Sequence, residues 1–129
     1  MHGEYGNLGT AKEYNGAETG FPKKRPFYNE ATTIGVVATD AKLNKAQAKR
    51  VAIAAHDGIA RAIFPSHTPF DGDLLFSIST LQVELTDENL DTMKIGHAAA
   101  QCVARSIARA VYSAEPDELD TVPVWRSLS

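Results

Sequence analysis

A chain of 129 residues, 43% hydrophobic and 22% charged, has the length and composition of one soluble domain that can bury roughly two thirds of its unfolded surface. Its formal net charge of −3 and pI of about 5.8 exclude the basic footprint of a nucleic-acid-binding surface. It shows neither a charged leader followed by an apolar core nor any apolar run near about 20 residues, so the expectation is a cytoplasmic protein with no signal peptide and no membrane contact.

Residues 1–31 read as a loop-rich leader or linker. Gly3, Gly6, Gly9, Gly16 and Gly20 interrupt a polar stretch with neither a helical nor a strand period, and Pro22 and Pro26 bracket Lys23-Lys24-Arg25, a solvated charge run. From residue 32 the character changes. The β-branched run over residues 33–39 predicts a strand covered on both faces, with Gly35 marking a close backbone approach. Asn44, with Gln47 three residues on, predicts a capping box, and Val51, Ala55, Ile59 and Ile63 form one stripe of a helix that Pro65 must end.

A loop over residues 66–73 leads to a second predicted strand at 74–80. Residues 81–85 either extend it or form a third. A long helix then starts near Glu88, capped at Thr86 or Asp87, with Met93, Ala100, Val103, Ala104, Ile107 and Val111 on its apolar side. Beyond Glu115-Pro116 the tail is acidic and runs to Val-Pro-Val-Trp-Arg. The order β-α-β-(β)-α predicts an α/β or α+β layered unit, its two helices covering one face of a small sheet. The other face calls for cover from a partner chain or a missing segment.

The one cysteine, Cys102, lies in an alanine-rich helical stretch and is expected to be a buried small hydrophobe in a reducing compartment. His56 and His67 are read as helix-surface and loop residues and His97 as a packing residue, because no second histidine or cysteine lies at metal-ligand spacing. No metal and no cofactor are implied. A hydroxyl nucleophile requires a base and groups that fix its geometry. Thr32 and Thr33 before the first strand, and Asp71 and Asp73 before the second, are the residues that could supply these. On pattern alone the plainer reading prevails: Asp71-Gly72-Asp73 as a tight turn with solvated carboxylates, and the two threonines as strand formers.

Four separated motifs, in order, change the weight of these readings. Thr-Thr-Ile-Gly-Val-Val-Ala-Thr-Asp-Ala (32–41), Lys-Ala-Gln-Ala-Lys-Arg (45–50), Ala-His-Asp-Gly-Ile-Ala-Arg-Ala-Ile (55–63) and His-Thr-Pro-Phe-Asp-Gly-Asp (67–73) resemble the β-subunit region of the P1 or DmpA-type peptidases, peptidase family S58. That family includes L-aminopeptidase/D-esterases, β-peptidyl aminopeptidases and endo-type 6-aminohexanoate oligomer hydrolases. The resemblance runs from about residue 32 to 111. It implies an α/β/β/α sandwich of the N-terminal-nucleophile-like type. It also implies a precursor that cleaves itself between Ala31 and Thr32, exposing Thr32 as the N-terminal nucleophile, with Asp71 and Asp73 beside it as catalytic residues. Alanine stands at 31 where relatives commonly have asparagine or glycine.

By the same resemblance, an α subunit or N-terminal region on the order of a full domain should precede Thr32 and supply a lysine and an asparagine. The working form should be a homo-oligomer of αβ units acting on peptide or amide substrates. A non-enzymatic remnant serving as a binding or oligomerisation module is the alternative, and a small-molecule or metal-binding protein a more distant one.

Overall fold

The computed structural model of the protein describes residues 32–119 and 124–125. The leader at 1–31, with Ala31 and the basic triplet, and most of the C-terminal tail lie outside the described residues. Four elements follow one another: β1 (Ile34–Ala41), α1 (Lys45–Ala62), β2 (Leu74–Val83) and α2 (Glu88–Ser113). The protein is thus a mixed α/β unit, as its pattern predicts.

β1 and β2 pair in parallel, with Ile34 opposite Leu74 and the register unbroken to Thr39 opposite Ser79. Parallel neighbours need a crossover, and α1 is that crossover. Past Thr39 the register shifts, so that Ala41 faces Val83. The step falls at Leu81, whose φ of 59° is left-handed. Residues 81–83 therefore extend β2 rather than founding a third strand. Ser79 stitches the step closed: its hydroxyl donates to the Ala41 carbonyl at 2.6 Å and accepts from the Leu43 N–H at 3.2 Å.

α1 begins as the capping box requires. The Gln47 N–H donates to the Asn44 side chain and the Asn44 N–H to the Gln47 side chain, both at 2.9 Å. Two backbone donors that the helix cannot satisfy are thereby satisfied reciprocally. Val51, Ala55 and Ile59 are buried on the predicted stripe and Ile63 packs against the core. Asp87 is the N-cap of α2, accepting from the Asn89 and Leu90 N–H groups at 3.0 and 2.9 Å.

The two helices pack on each other across small residues and share one face of the sheet, α1 over β2 and α2 over β1. Gly58 makes the close crossing possible: a Cβ there would lie 2.3 Å from the Ala100 carbonyl oxygen and 2.7 Å from Val103 Cβ. Ala41, Leu43, Val51, Ala55, Ile59, Leu75, Ala99 and Val103 form the core between the layers.

β1 is not covered on both faces. Its residues alternate, with Gly35, Val37 and Thr39 toward the helices and Ile34 and Val36 exposed, at 68% and 57%. Leu74, Phe76 and Ile78 of β2 continue the same exposed apolar face. Other departures lie on α2. Cys102 and His97 are exposed, not buried, and Met93 and Val111 are more than half exposed, so its apolar stripe is effectively Ala99, Ala100, Val103 and Ala104, with Ile107 partly buried. Those small side chains sit where α1 approaches, Ile95 and Ile107 pack at the margins of the core, and Met93 and Val111 lie beyond it.

The crossing at Gly58 yields a test. Gly58→Ala gains helix propensity of about 1 kcal/mol, yet its methyl group collides with backbone that cannot move aside cheaply. A net loss of about 1–3 kcal/mol is expected in urea denaturation. An unchanged or raised midpoint would show that the helices do not approach this closely.

Candidate active site

The parallel register brings the starts of both strands to one end of the sheet. Ile34 faces Leu74, so the residues just before them, 32–33 and 72–73, also lie side by side although 40 positions apart in sequence. The Leu74 N–H donates to the Thr33 carbonyl at 2.9 Å, and the Thr33 N–H donates to Asp73 Oδ1 at 3.0 Å. Thr32 is exposed, and its hydroxyl rests against Gly72: a Cβ at that glycine would lie 2.8 Å from Thr32 Oγ1. Gly72 is therefore required for close approach, and not only for a turn.

The two acids are placed differently. Asp71 closes its own turn, its carboxylate accepting from the Thr68 N–H at 2.7 Å while its N–H donates to the Thr68 carbonyl at 3.0 Å. Asp73 reaches across to β1. Its side chain is only 7% exposed, and its second oxygen, Oδ2, accepts from the His67 N–H at 3.3 Å and lies 2.8 Å from His67 Nδ1. Burial alone would raise the Asp73 pKa. The Thr33 and His67 backbone donors, the Thr33 side chain and the His67 ring outweigh it, so the carboxyl is held below its ordinary value and is an anion at neutral pH.

Of the predicted site residues, the structure thus brings together Thr32, Thr33 and Asp73, keeps Asp71 one turn away in the same loop, and leaves Ala31 outside the described residues. His67 is the participant that sequence spacing missed. Metal-ligand spacing says nothing of it, because its partner is a carboxylate six residues later. The signal available was the single stretch His67-Thr-Pro-Phe-Asp-Gly-Asp73, in which both ends of one loop carry ionisable groups. Among the described residues no group of three or more histidine, cysteine or acidic side chains could hold a metal ion, and no helix is long and apolar enough to cross a membrane.

The paired strand starts thus carry an exposed hydroxyl, on Thr32, and a buried carboxylate, on Asp73. The signature of peptidase family S58 matches residues 4–120. The chain belongs to this family. The S58 match reaches upstream of residue 32, where the motif resemblance began. An uncharacterised aminopeptidase of Mycobacterium tuberculosis is 41% identical over 107 residues, which cover 75% of this chain and 30% of that protein. A Mycobacterium leprae protein of the same description is 46% identical over 103 residues, 71% of this chain and 28% of its own. A 6-aminohexanoate-oligomer endohydrolase of Paenarthrobacter ureafaciens is 33% identical over 67 residues, 50% of this chain and 19% of its own. The chain spans less than a third of the length of these S58 relatives.

The Asp73 environment predicts an acid dependence with a definite sign. A carboxyl whose folded pKa lies below its ordinary 3.8 contributes stability that is fully present above that value and is lost as pH falls through the lower, folded value. Urea stability of the wild-type chain should therefore drop below about pH 4, and the drop should flatten in Asp73→Asn. Parallel acid limbs in the two proteins would show that Asp73 is not held as an anion by these contacts.

Proposed function

We propose that this chain is the nucleophile-bearing part of an S58 hydrolase that cleaves peptide or amide bonds, with Thr32 as the nucleophile. The observation that carries the reading is the seat of the Thr32 hydroxyl against Gly72, the residue that separates Asp71 from Asp73 in sequence, at the start of a parallel strand pair.

In this reading the Thr32 hydroxyl first attacks the Ala31 carbonyl. The peptide C–N bond breaks as the ester forms, and water hydrolyses that ester to leave residue 31 with a carboxylate and Thr32 with a free α-amine. Such an amine has a pKa of about 8, so a useful fraction is neutral at pH 7 and takes the proton of its own hydroxyl when the latter attacks a substrate carbonyl. The leaving amine departs with a proton, an acyl-Thr32 ester remains, and a second water releases the acid. Asp73, anionic and tied to the Thr33 N–H, holds the strand start that carries the nucleophile. Asp71 offers a second carboxylate in the same loop for the ammonium form.

The remainder of the site belongs to a partner. The exposed face of Ile34, Val36, Leu74, Phe76 and Ile78 is an apolar surface of the kind that seeks a second layer. We assign its cover to an α subunit or preceding S58 region, which completes an α/β/β/α sandwich and brings the oxyanion donors. A homo-oligomer of such units is the expected working form. The substrate class follows the relatives, described as aminopeptidases and an oligomer endohydrolase: short peptides or linear amides.

The test is intact mass of the 129-residue chain, alone and co-expressed with the region that precedes the matched segment in a longer S58 relative. Scission between Ala31 and Thr32 is expected in the assembled form. Thr32→Ala should abolish both scission and amide turnover, by a factor on the order of 10⁴ or more, while Thr32→Ser retains part of each. Full turnover by Thr32→Ala would overturn the reading.

A further inference from the structure

His67 has no place in the chemistry above, yet the loop is built around it. It lies between α1 and β2 with a φ of 55°, a left-handed conformation that is unfavourable for a residue with a Cβ. Its backbone N–H and its ring nitrogen Nδ1 converge on a single atom, Asp73 Oδ2, at 3.3 and 2.8 Å. The far ring nitrogen, Nε2, lies 3.4 Å from the His56 carbonyl oxygen in α1, and the two imidazole centroids are 5.2 Å apart. The ring thus bridges the crossover helix to the carboxylate at the entry of β2.

The other oxygen of that carboxylate holds the Thr33 N–H at 3.0 Å. This N–H belongs to the planar peptide unit joining Thr32 to Thr33. Fixing the plane fixes the place of the Thr32 Cα, the pivot from which Thr32 presents its hydroxyl and its nitrogen. A carboxylate anchored through one oxygen alone swivels about its terminal torsion, which is broad. Anchored through both, it is set.

We propose that His67 is a positioning residue for Thr32: by clamping Oδ2 it locks the Asp73 carboxylate, so that Oδ1 stays on the Thr33 N–H and the Thr32 Cα stays at its place beside Gly72. His67 itself touches no reacting atom. The proposal rests on Thr32 being the nucleophile.

Two variants separate the ring from the backbone. His67→Gly removes the ring and accepts the left-handed φ without penalty. His67→Gln restores a side-chain donor of comparable reach. In the 129-residue chain, amide hydrogen exchange of Thr33 should quicken roughly tenfold in the glycine variant, with the Leu74, Val51 and Ile59 amides unchanged, and return most of the way in the glutamine variant. In the assembled hydrolase, kcat should fall on the order of 10–100-fold in His67→Gly at nearly constant KM, and recover in part with glutamine.

Unchanged Thr33 exchange, unchanged kcat, or glutamine no better than glycine would each overturn the proposal. If Val51 and Ile59 also lose protection in the glycine variant, His67→Asn, which tolerates the same φ, replaces it in the comparison. Full activity in Thr32→Ala is the separate failure: it removes the nucleophile assignment, and His67's role with it, whatever the exchange data.

Discussion

Everything about the candidate site depends on the parallel pairing of β1 with β2. An antiparallel pair with the same residues would put the Thr32 end of β1 beside the far end of β2, and Asp73 would lie a strand's length away. Parallel pairing requires a crossover, and the crossover brings its own demand for a buried stripe and two well-capped ends. Val51, Ala55 and Ile59 meet the first demand, and the Asn44–Gln47 box the start of the second. The hydrogen bond from Thr33 to Asp73 therefore rests on the packing of the helix between them.

The layer arrangement is one-sided. Both helices occupy the same face of the sheet and press on each other through Gly58, Gly96 and the alanines of α2, leaving large aliphatic and aromatic groups on the opposite face. A two-layer unit whose sheet is apolar on both sides has the composition of an interior strand pair and the environment of a surface one. The proposed second layer would remove that mismatch, and the S58 relatives are more than three times as long as the segment they share with this chain.

Much of this was legible in the residues. The capping box, the stripe of α1, its stop before Pro65 and the strand starts, expected at 33 and 74 and found at Ile34 and Leu74, are local signals. What depends on distant neighbours was harder to read. The run at 33–39 is apolar enough for burial on both faces, but apolarity reports what a strand tolerates and not what covers it. Cys102, His97 and Met93 sit in a helix so rich in alanine that its buried side is defined by where another helix touches. The pairing of His67 with Asp73 escaped because the loop folds back on itself, a geometry with no sequence period. The closeness of Thr32 to the acids was open until strand direction was known.

Strand pairing also bears on what a chain break would do. Ordinary termini fray because their first residues lack partners. Here residue 33 is tied on both sides, by its carbonyl to the Leu74 N–H and by its N–H to Asp73, before the ladder proper begins at Ile34. A cut before residue 32 would sever none of these bonds. The new end would be a single residue standing on an anchored one, its Cα fixed at the edge of the sheet from the moment the cut was made.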